Sequence, residues 1–286
     1  MDHKLLALFG LTFNPFSPEL PPEALLSSPR LESFCWRIEN AHLREGGFAL
    51  ITGDPGTGKS VGLRLLATRL GRLRDVVVAP LANPRSHLLD FYREMGELFG
   101  LAHKLNANNR WVGFKALRAC WQAYIESTLC RPVLLIDEAQ EMNTHVLSEL
   151  RMLTSTQFDS KIILSVVLAG DRRLTERFRS DDLLPLGSRI RTRLALDYAT
   201  PDELRACLKH LVTSAGNPAL LTPELAATLA DHAGGNFRTL TTMAGELLTV
   251  AAQRELSQLD EKLYFEVFAP PQSPRPTKAA AGARRP

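Results

Sequence analysis

Gly53-Asp54-Pro55-Gly56-Thr57-Gly58-Lys59-Ser60 lies between a short apolar run, Phe48-Ala49-Leu50-Ile51-Thr52, and a helix-compatible stretch, Val61 to Leu70, that stops at Gly71. The octet fits the pattern G-x-x-x-x-G-K-[ST], and strand, glycine loop, helix is the order in which that pattern cradles phosphate. Glycines let successive backbone N–H groups turn inward on an anion, and the N-terminus of the following helix adds positive potential. Gly53, Asp54, Pro55, Gly56, Thr57, Gly58, Lys59, Ser60 and Val61 are therefore the expected nucleotide-binding residues. Lys59 is expected to reach the β and γ phosphates and the Ser60 hydroxyl to ligate magnesium, which makes ATP and Mg2+ the expected cofactors.

Beyond the loop, three more buried-strand candidates occur: Asp75 to Ala79, Pro132 to Ile136 and Ile162 to Ala169. They lie between helical patterns at Ser86 to Phe99, Trp111 to Leu129 and Asn143 to Thr154. Strands alternating with helices of that length predict an α/β fold, a P-loop NTPase whose parallel sheet is flanked by helices, over residues 46–197. Before it, Phe9-Gly10-Leu11-Thr12-Phe13-Asn14-Pro15-Phe16 reads as an irregular, pinned segment, and Leu31 to Arg44 shows helical spacing. Residues 1–45 are expected to form an N-terminal segment and helix packed on the ATPase core. Beyond Asp197 helices take over, opened by Thr200-Pro201-Asp202-Glu203 and Thr222-Pro223-Glu224 and continued by Asn236 to Arg254 and Asp260 to Phe268. They predict a small all-helical lid domain at 198–268. Residues 269–286, Pro/Ala-rich with four basic residues and no acid, read as a disordered basic tail.

A nucleotide site of this class needs a carboxylate on a neighbouring strand end to hold the magnesium shell. Val133-Leu134-Leu135-Ile136-Asp137-Glu138 supplies one, with Asp137 on the metal side and Glu138 placed to polarise the attacking water. A third strand end, Ala169-Gly170-Asp171, offers Asp171 either as a γ-phosphate sensor or as a turn former.

Composition sets the bounds. With 286 residues, 45% hydrophobic and 23% charged, the chain has the make-up of a globular protein large enough for two domains. No apolar run approaches the roughly 18 residues of a membrane span, and Leu5 to Phe9 is shorter than a signal-peptide core. A cytoplasmic location is expected. Four cysteines without a C-x-x-C pair and seven histidines without a ligand cluster give no reason for a structural metal. Arg172, Arg173, Arg177 and Arg179, with Lys161 before them, form a basic stretch that reads either as a solvated face or as a DNA contact. No recognition helix or aromatic-interleaved patch stands out.

Taken in order, Phe9-Gly10-Leu11 with Asn14-Pro15-Phe16, Gly47-Phe48, the phosphate loop, Asn83-Pro84, Asp137-Glu138-Ala139-Gln140 and Gly234-Gly235-Asn236-Phe237-Arg238 resemble the AAA+ ATPases of the ExeA type. That group includes general-secretion ATPases and the ATP-binding helpers of bacterial transposons, and the resemblance covers about residues 5–266. It implies Mg-dependent hydrolysis of ATP to ADP and phosphate in a ring or helical homo-oligomer. It also implies an arginine finger that enters a neighbouring subunit's site, and the arginines of Ser188-Arg189-Ile190-Arg191-Thr192-Arg193 look like its source. Arg189 is the preferred residue, Arg191 comes next and Arg193 stays open, with a polar strand edge as the plain alternative. Arg238 looks like the lid's sensor arginine. Many AAA+ proteins carry Asn where this chain has Asp171, and a carboxylate there repels phosphate unless paired. The resemblance further implies double-stranded DNA and a transposase or integrase as partners and a role as an ATP-dependent helper of transposition. The alternative is a secretion or envelope-assembly ATPase, whose relatives usually continue into a membrane helix that this sequence is not expected to contain. A small-molecule kinase and an ATP-gated scaffold fit less well, because Lys59 and Glu138 are both present.

Overall fold

The computed structural model describes residues 2–101, 109–157 and 161–268, so the basic tail expected at 269–286 lies outside the described residues. Seven strands occur among them: β1 Gly47–Gly53, β2 Val76–Leu81, β3 Arg131–Ile136, β4 Ser155–Thr156, β5 Lys161–Ile162, β6 Ser165–Gly170 and β7 Ile190–Leu196. Five of them make one parallel sheet in the order β2-β3-β6-β1-β7, and β4 and β5 form a separate antiparallel pair. The expected strand Ile162 to Ala169 is thus divided. Thr154 holds the N–H groups of Ile163 and Leu164 through its carbonyl, which bends the chain before Ser165 enters the sheet.

Successive residues of the central strands are apolar because both faces of the sheet are covered. Phe48, Leu50, Leu134, Ile136, Val166 and Leu168 point to a cluster with Phe91, Met95, Leu117, Trp121, Leu147 and Leu150. Ala49, Ile51, Val133, Leu135, Val167 and Ala169 point the other way, to Leu31, Phe34, Ile38, Leu63, Leu66 and Leu70. The edge strand β7 alternates instead: Ile190, Thr192 and Leu194 are buried, while Arg191 and Arg193 are exposed. That period of two, interrupted by arginines, hides a strand that an apolar-run criterion passes over.

The C-terminal helices Pro201–Ser214, Pro223–His232, Phe237–Gln253 and Glu261–Phe268 enclose a second core around Leu208, Leu229, Leu240 and Leu247. Thr200 and Glu203 form the reciprocal capping box expected from the sequence. Residues 1–45 do not act as one piece. Phe9, Leu11 and Phe16 complete the helical lid's core, and the Phe9 carbonyl accepts from Asn217 at 2.8 Å while Thr12 N donates to Ala215 O at 2.8 Å. Only the helix Pro29–Arg37, continued through a π turn at Ile38–His42 to Glu45, packs on the sheet. A domain as small as the lid has too little apolar surface of its own to bury, and the N-terminal aromatics add to it. Between the two parts, Arg64 on the helix after the phosphate loop donates to Pro18 O at 3.0 Å and Leu20 O at 2.6 Å, tying the connecting strap to the core.

Candidate nucleotide site

The loop after β1 turns through Asp54 to Gly58 into the helix Lys59–Leu70. Lys59 is only 6% exposed, and its ammonium donates to Gly53 O at 2.9 Å and Asp54 O at 3.1 Å. An ammonium carries three protons, so two shape the loop and one is left for an anion. The buried Thr57 hydroxyl donates to Asp54 O at 2.8 Å and stiffens the same turn. A preformed turn with a fixed cation at a helix N-terminus fits a polyphosphate. Ser60 stands exposed in the first turn of that helix.

Strand register brings the other groups beside it. Ile136 of β3 pairs with Leu168 of β6, and Gly170 of β6 pairs with Thr52 of β1, so Asp137-Glu138 and Asp171 leave the sheet on the same edge as the loop. Carboxyl ends of strands are where open parallel sheets bind ligands. The Ser60 hydroxyl and the Asp137 carboxylate are hard oxygen donors of the kind magnesium takes. Asp137 Oδ1 accepts the N–H of Glu138 at 2.9 Å, and Glu138 itself is exposed and sits in the left-handed region at φ 50°.

Asp171 caps the helix Arg172–Arg177, accepting from Arg173 N at 2.9 Å, and its Oδ2 pairs with the Arg173 guanidinium at 2.7 Å. The Arg173 guanidinium holds this carboxyl below the usual carboxylate range. The carboxylate is therefore paired, and the turn-forming alternative describes its contacts. Arg172 reaches back to Asp54 of the phosphate loop at 2.9 Å. Arg177 donates to Gln140 O at 2.6 Å, and Lys161 pairs with Glu126 at 3.0 Å. Most of the basic stretch is thus engaged within the chain.

The lid touches the loop directly. Asn236 Nδ2 donates to Pro55 O at 2.9 Å, Phe237 N donates to Gly56 O at 3.0 Å, and Asn236 Oδ1 caps its own helix by accepting from Arg238 and Thr239. Gly56, at φ +83°, is required here because a Cβ would lie 2.1 Å from Asn236 Oδ1. Arg238, two residues past Asn236, is exposed beside the loop.

A strand-ordered phosphate loop, an acidic strand end and a docked helical lid are now together in one site. The AAA domain family (AAA_22) matches residues 42–178. General secretion pathway protein A of Aeromonas hydrophila is 30% identical over 251 residues, which is 86% of this chain and 44% of that protein.

Residues 42–178 carry an AAA domain. The chain spans less than half the length of that relative. Among solved structures, Aeropyrum pernix ORC2, described as ADPNP-ADP complexes, superposes with a TM-score of 0.70 at 18% identity, covering 88% of this chain and 70% of that one. Aeropyrum pernix ORC1 in complex with DNA superposes with a TM-score of 0.65 at 18% identity, covering 88% and 67%. At such identities the likeness shows the fold: a parallel sheet flanked by helices with helices following at the C-terminal side. No helix among the described residues is long and apolar enough to cross a membrane.

Of the candidate finger arginines, Arg189 lies farthest along the strand from the chain's own loop, and Arg193, paired with Leu50, lies nearest. Ile190 pairs with Phe48 at the start of β1, whereas the loop follows Gly53 at its end, roughly 16 Å away at ~3.3 Å per strand residue. Arg189 precedes β7 and donates to Pro185 O at 3.1 Å, Arg191 pairs with Glu45 at 3.3 Å, and Arg193 donates to Gly187 O at 3.0 Å. Sequence reading missed the docking role of Asn236, the Asp54–Arg172 pair and the contacts of Gln140, whose one signal was its place at the end of Asp137-Glu138-Ala139-Gln140. It also missed a surface strip on the helix Arg110–Ala123. There Trp111 and Phe114 stack at 5.9 Å with Lys115 and Arg118 over their rings at 4.7 Å and 4.9 Å.

Proposed function

We propose that this chain hydrolyses ATP to ADP and phosphate in a site that a neighbouring copy completes, and that nucleotide state governs binding to double-stranded DNA in support of transposition. The observation that carries the hydrolytic part is the convergence of Lys59, Asp137 and Glu138 on one sheet edge, closed by the lid contact from Asn236. Glu138 takes a proton from water as the water oxygen bonds the γ-phosphorus and the bond to the bridging oxygen of ADP breaks. Lys59 stabilises charge on the phosphate oxygens, and Arg238 in the lid contacts the γ-phosphate. Ser60 and Asp137 would hold magnesium, which would supply further positive charge to those oxygens.

Arg189 is proposed as the finger donated to the neighbour. Its support is the strand length that separates it from its own loop. Arg191 is the second choice, although its ion pair with Glu45 must open first. For Asp171, the pair with Arg173 supports a role in arranging cations near the phosphates over direct contact with them.

The DNA part rests on the resemblance to transposon helpers and on the fold shared with a protein solved in complex with DNA. A second reading, a secretion or envelope-assembly ATPase, is favoured by the identity with General secretion pathway protein A. ATP turnover and sizing with and without duplex DNA, in magnesium, separate the two. DNA-stimulated turnover or DNA-dependent assembly, weakened steeply by salt, supports the transposition reading. DNA that changes neither leaves the secretion reading in its place.

A further inference from the structure

Glu138 is an exposed carboxylate on a left-handed residue, so its backbone is fixed while its side chain is open to solvent. One neighbour restrains it. Gln140 is 7% exposed and donates its amide Nε2–H to Glu138 Oε2. Glu138 Oε1 has no hydrogen-bond partner among the described residues. The other end of Gln140 is also held: its Oε1 accepts the N–H of Asp171, the first residue after β6, at 3.1 Å. Gly170 lines this contact, and a Cβ there would come within 2.7 Å of the same oxygen. The next residue, Arg172, is paired with Asp54 of the phosphate loop.

We infer that Gln140 is the positioning residue for the base: it fixes Glu138 Oε2, leaves Oε1 for water, and ties that geometry through the Asp171 amide to the strand end that carries the Arg172–Asp54 pair. A side-chain amide suits this place because it has a donor and an acceptor on one rigid plane. A carboxylate without the restraint samples several rotamers, few of them aligned with the attacking water. The proposal rests on the reading of Glu138 as the hydrolytic base.

Two substitutions test it, with turnover, KM and the Kd of a fluorescent ATP analogue measured for each. Gln140→Met keeps length and packing but loses both polar ends. Its kcat is expected to fall on the order of 100-fold, with the Kd for nucleotide within about twofold of wild type. Gln140→Glu keeps an acceptor for the Asp171 amide and replaces the donor by a group that donates only when protonated. An acceptor in place of the donor no longer holds Glu138 Oε2, so kcat of Gln140→Glu should fall as far as that of Gln140→Met, with the nucleotide Kd again within about twofold of wild type. Turnover of Gln140→Met equal to wild type overturns the proposal. So do a kcat loss matched by lost nucleotide affinity, which marks a structural role, and wild-type turnover in Gln140→Glu, which shows that the amide donor is not needed. A wild-type chain without turnover, with or without DNA, removes the hydrolysis reading itself and this proposal with it.

Discussion

Glu138 and Lys59 divide the work of the site, and their substitutions should separate cleanly. Lys59 shapes the loop through Gly53 and Asp54 and keeps one proton for phosphate, so Lys59→Ala is expected to lose nucleotide binding, read by titration of a fluorescent analogue. No hydrogen bond joins Glu138 to the loop, so Glu138→Gln should bind ATP with near wild-type affinity and assemble, yet turn over roughly 100- to 10,000-fold more slowly. Lost binding in that variant would show that the base has been misplaced. These two residues were legible because the chemistry of a P-loop fixes residue type and spacing within a few positions of the chain. The coupling through Gln140 was not, since Glu138 and Asp171 follow different strands and only the sheet brings them together.

Among the elements, the helix Phe237–Gln253 is held at its first turn by one side chain with two tasks. Asn236 caps the helix with Oδ1 and binds the phosphate loop with Nδ2. Asn236→Asp keeps the capping oxygen and loses the donor, so stability in urea should be nearly unchanged while nucleotide affinity falls. Asn236→Ala loses both and should also cost about 1 kcal/mol of stability. A second element carries a pH dependence. His42 lies in the π turn that leads to β1, where burial, reinforced by the positive charge of Arg191, pushes its imidazole down to about 4 from the usual 6.5. The unfolded chain therefore binds a proton that the folded chain refuses. The stability involved is present in full above pH 6.5, is lost as pH falls, and levels off near pH 4, for a total on the order of 3 kcal/mol. Urea unfolding at neutral pH and near pH 5 should show the loss, and His42→Leu should reduce it. Helix positions were readable from caps and spacing, whereas β7 was open only as a polar strand edge, the alternative to finger arginines: Arg191 and Arg193 interrupt it, and only pairing with β1 shows that the alternate residues are buried.

For the whole molecule the deciding question is whether the site is shared. Arg189→Ala and Glu138→Gln should each be inactive alone, the first by a factor on the order of 1,000 or more if the finger acts as proposed. Mixed together, they should recover turnover, because an intact Glu138 site on one copy can receive Arg189 from the other. No recovery on mixing would return Arg189 to the status of a strand-edge arginine. The strip of Trp111, Phe114, Lys115 and Arg118 shows how surface chemistry escapes linear reading: the four residues are spaced over two helical turns and become a stacked, cationic face only once the helix forms. A phosphate loop, an acidic strand end and an α/β sheet followed by helices could all be read from the linear chain, because they depend on local pattern and periodicity. Folding alone settled that the N-terminal aromatics serve the lid, that Asn236 closes on the loop and that Gln140 joins Glu138 to the end of β6. Each of those contacts links residues on separate elements, and only the packing of those elements on one sheet and one helical core sets which side chains meet.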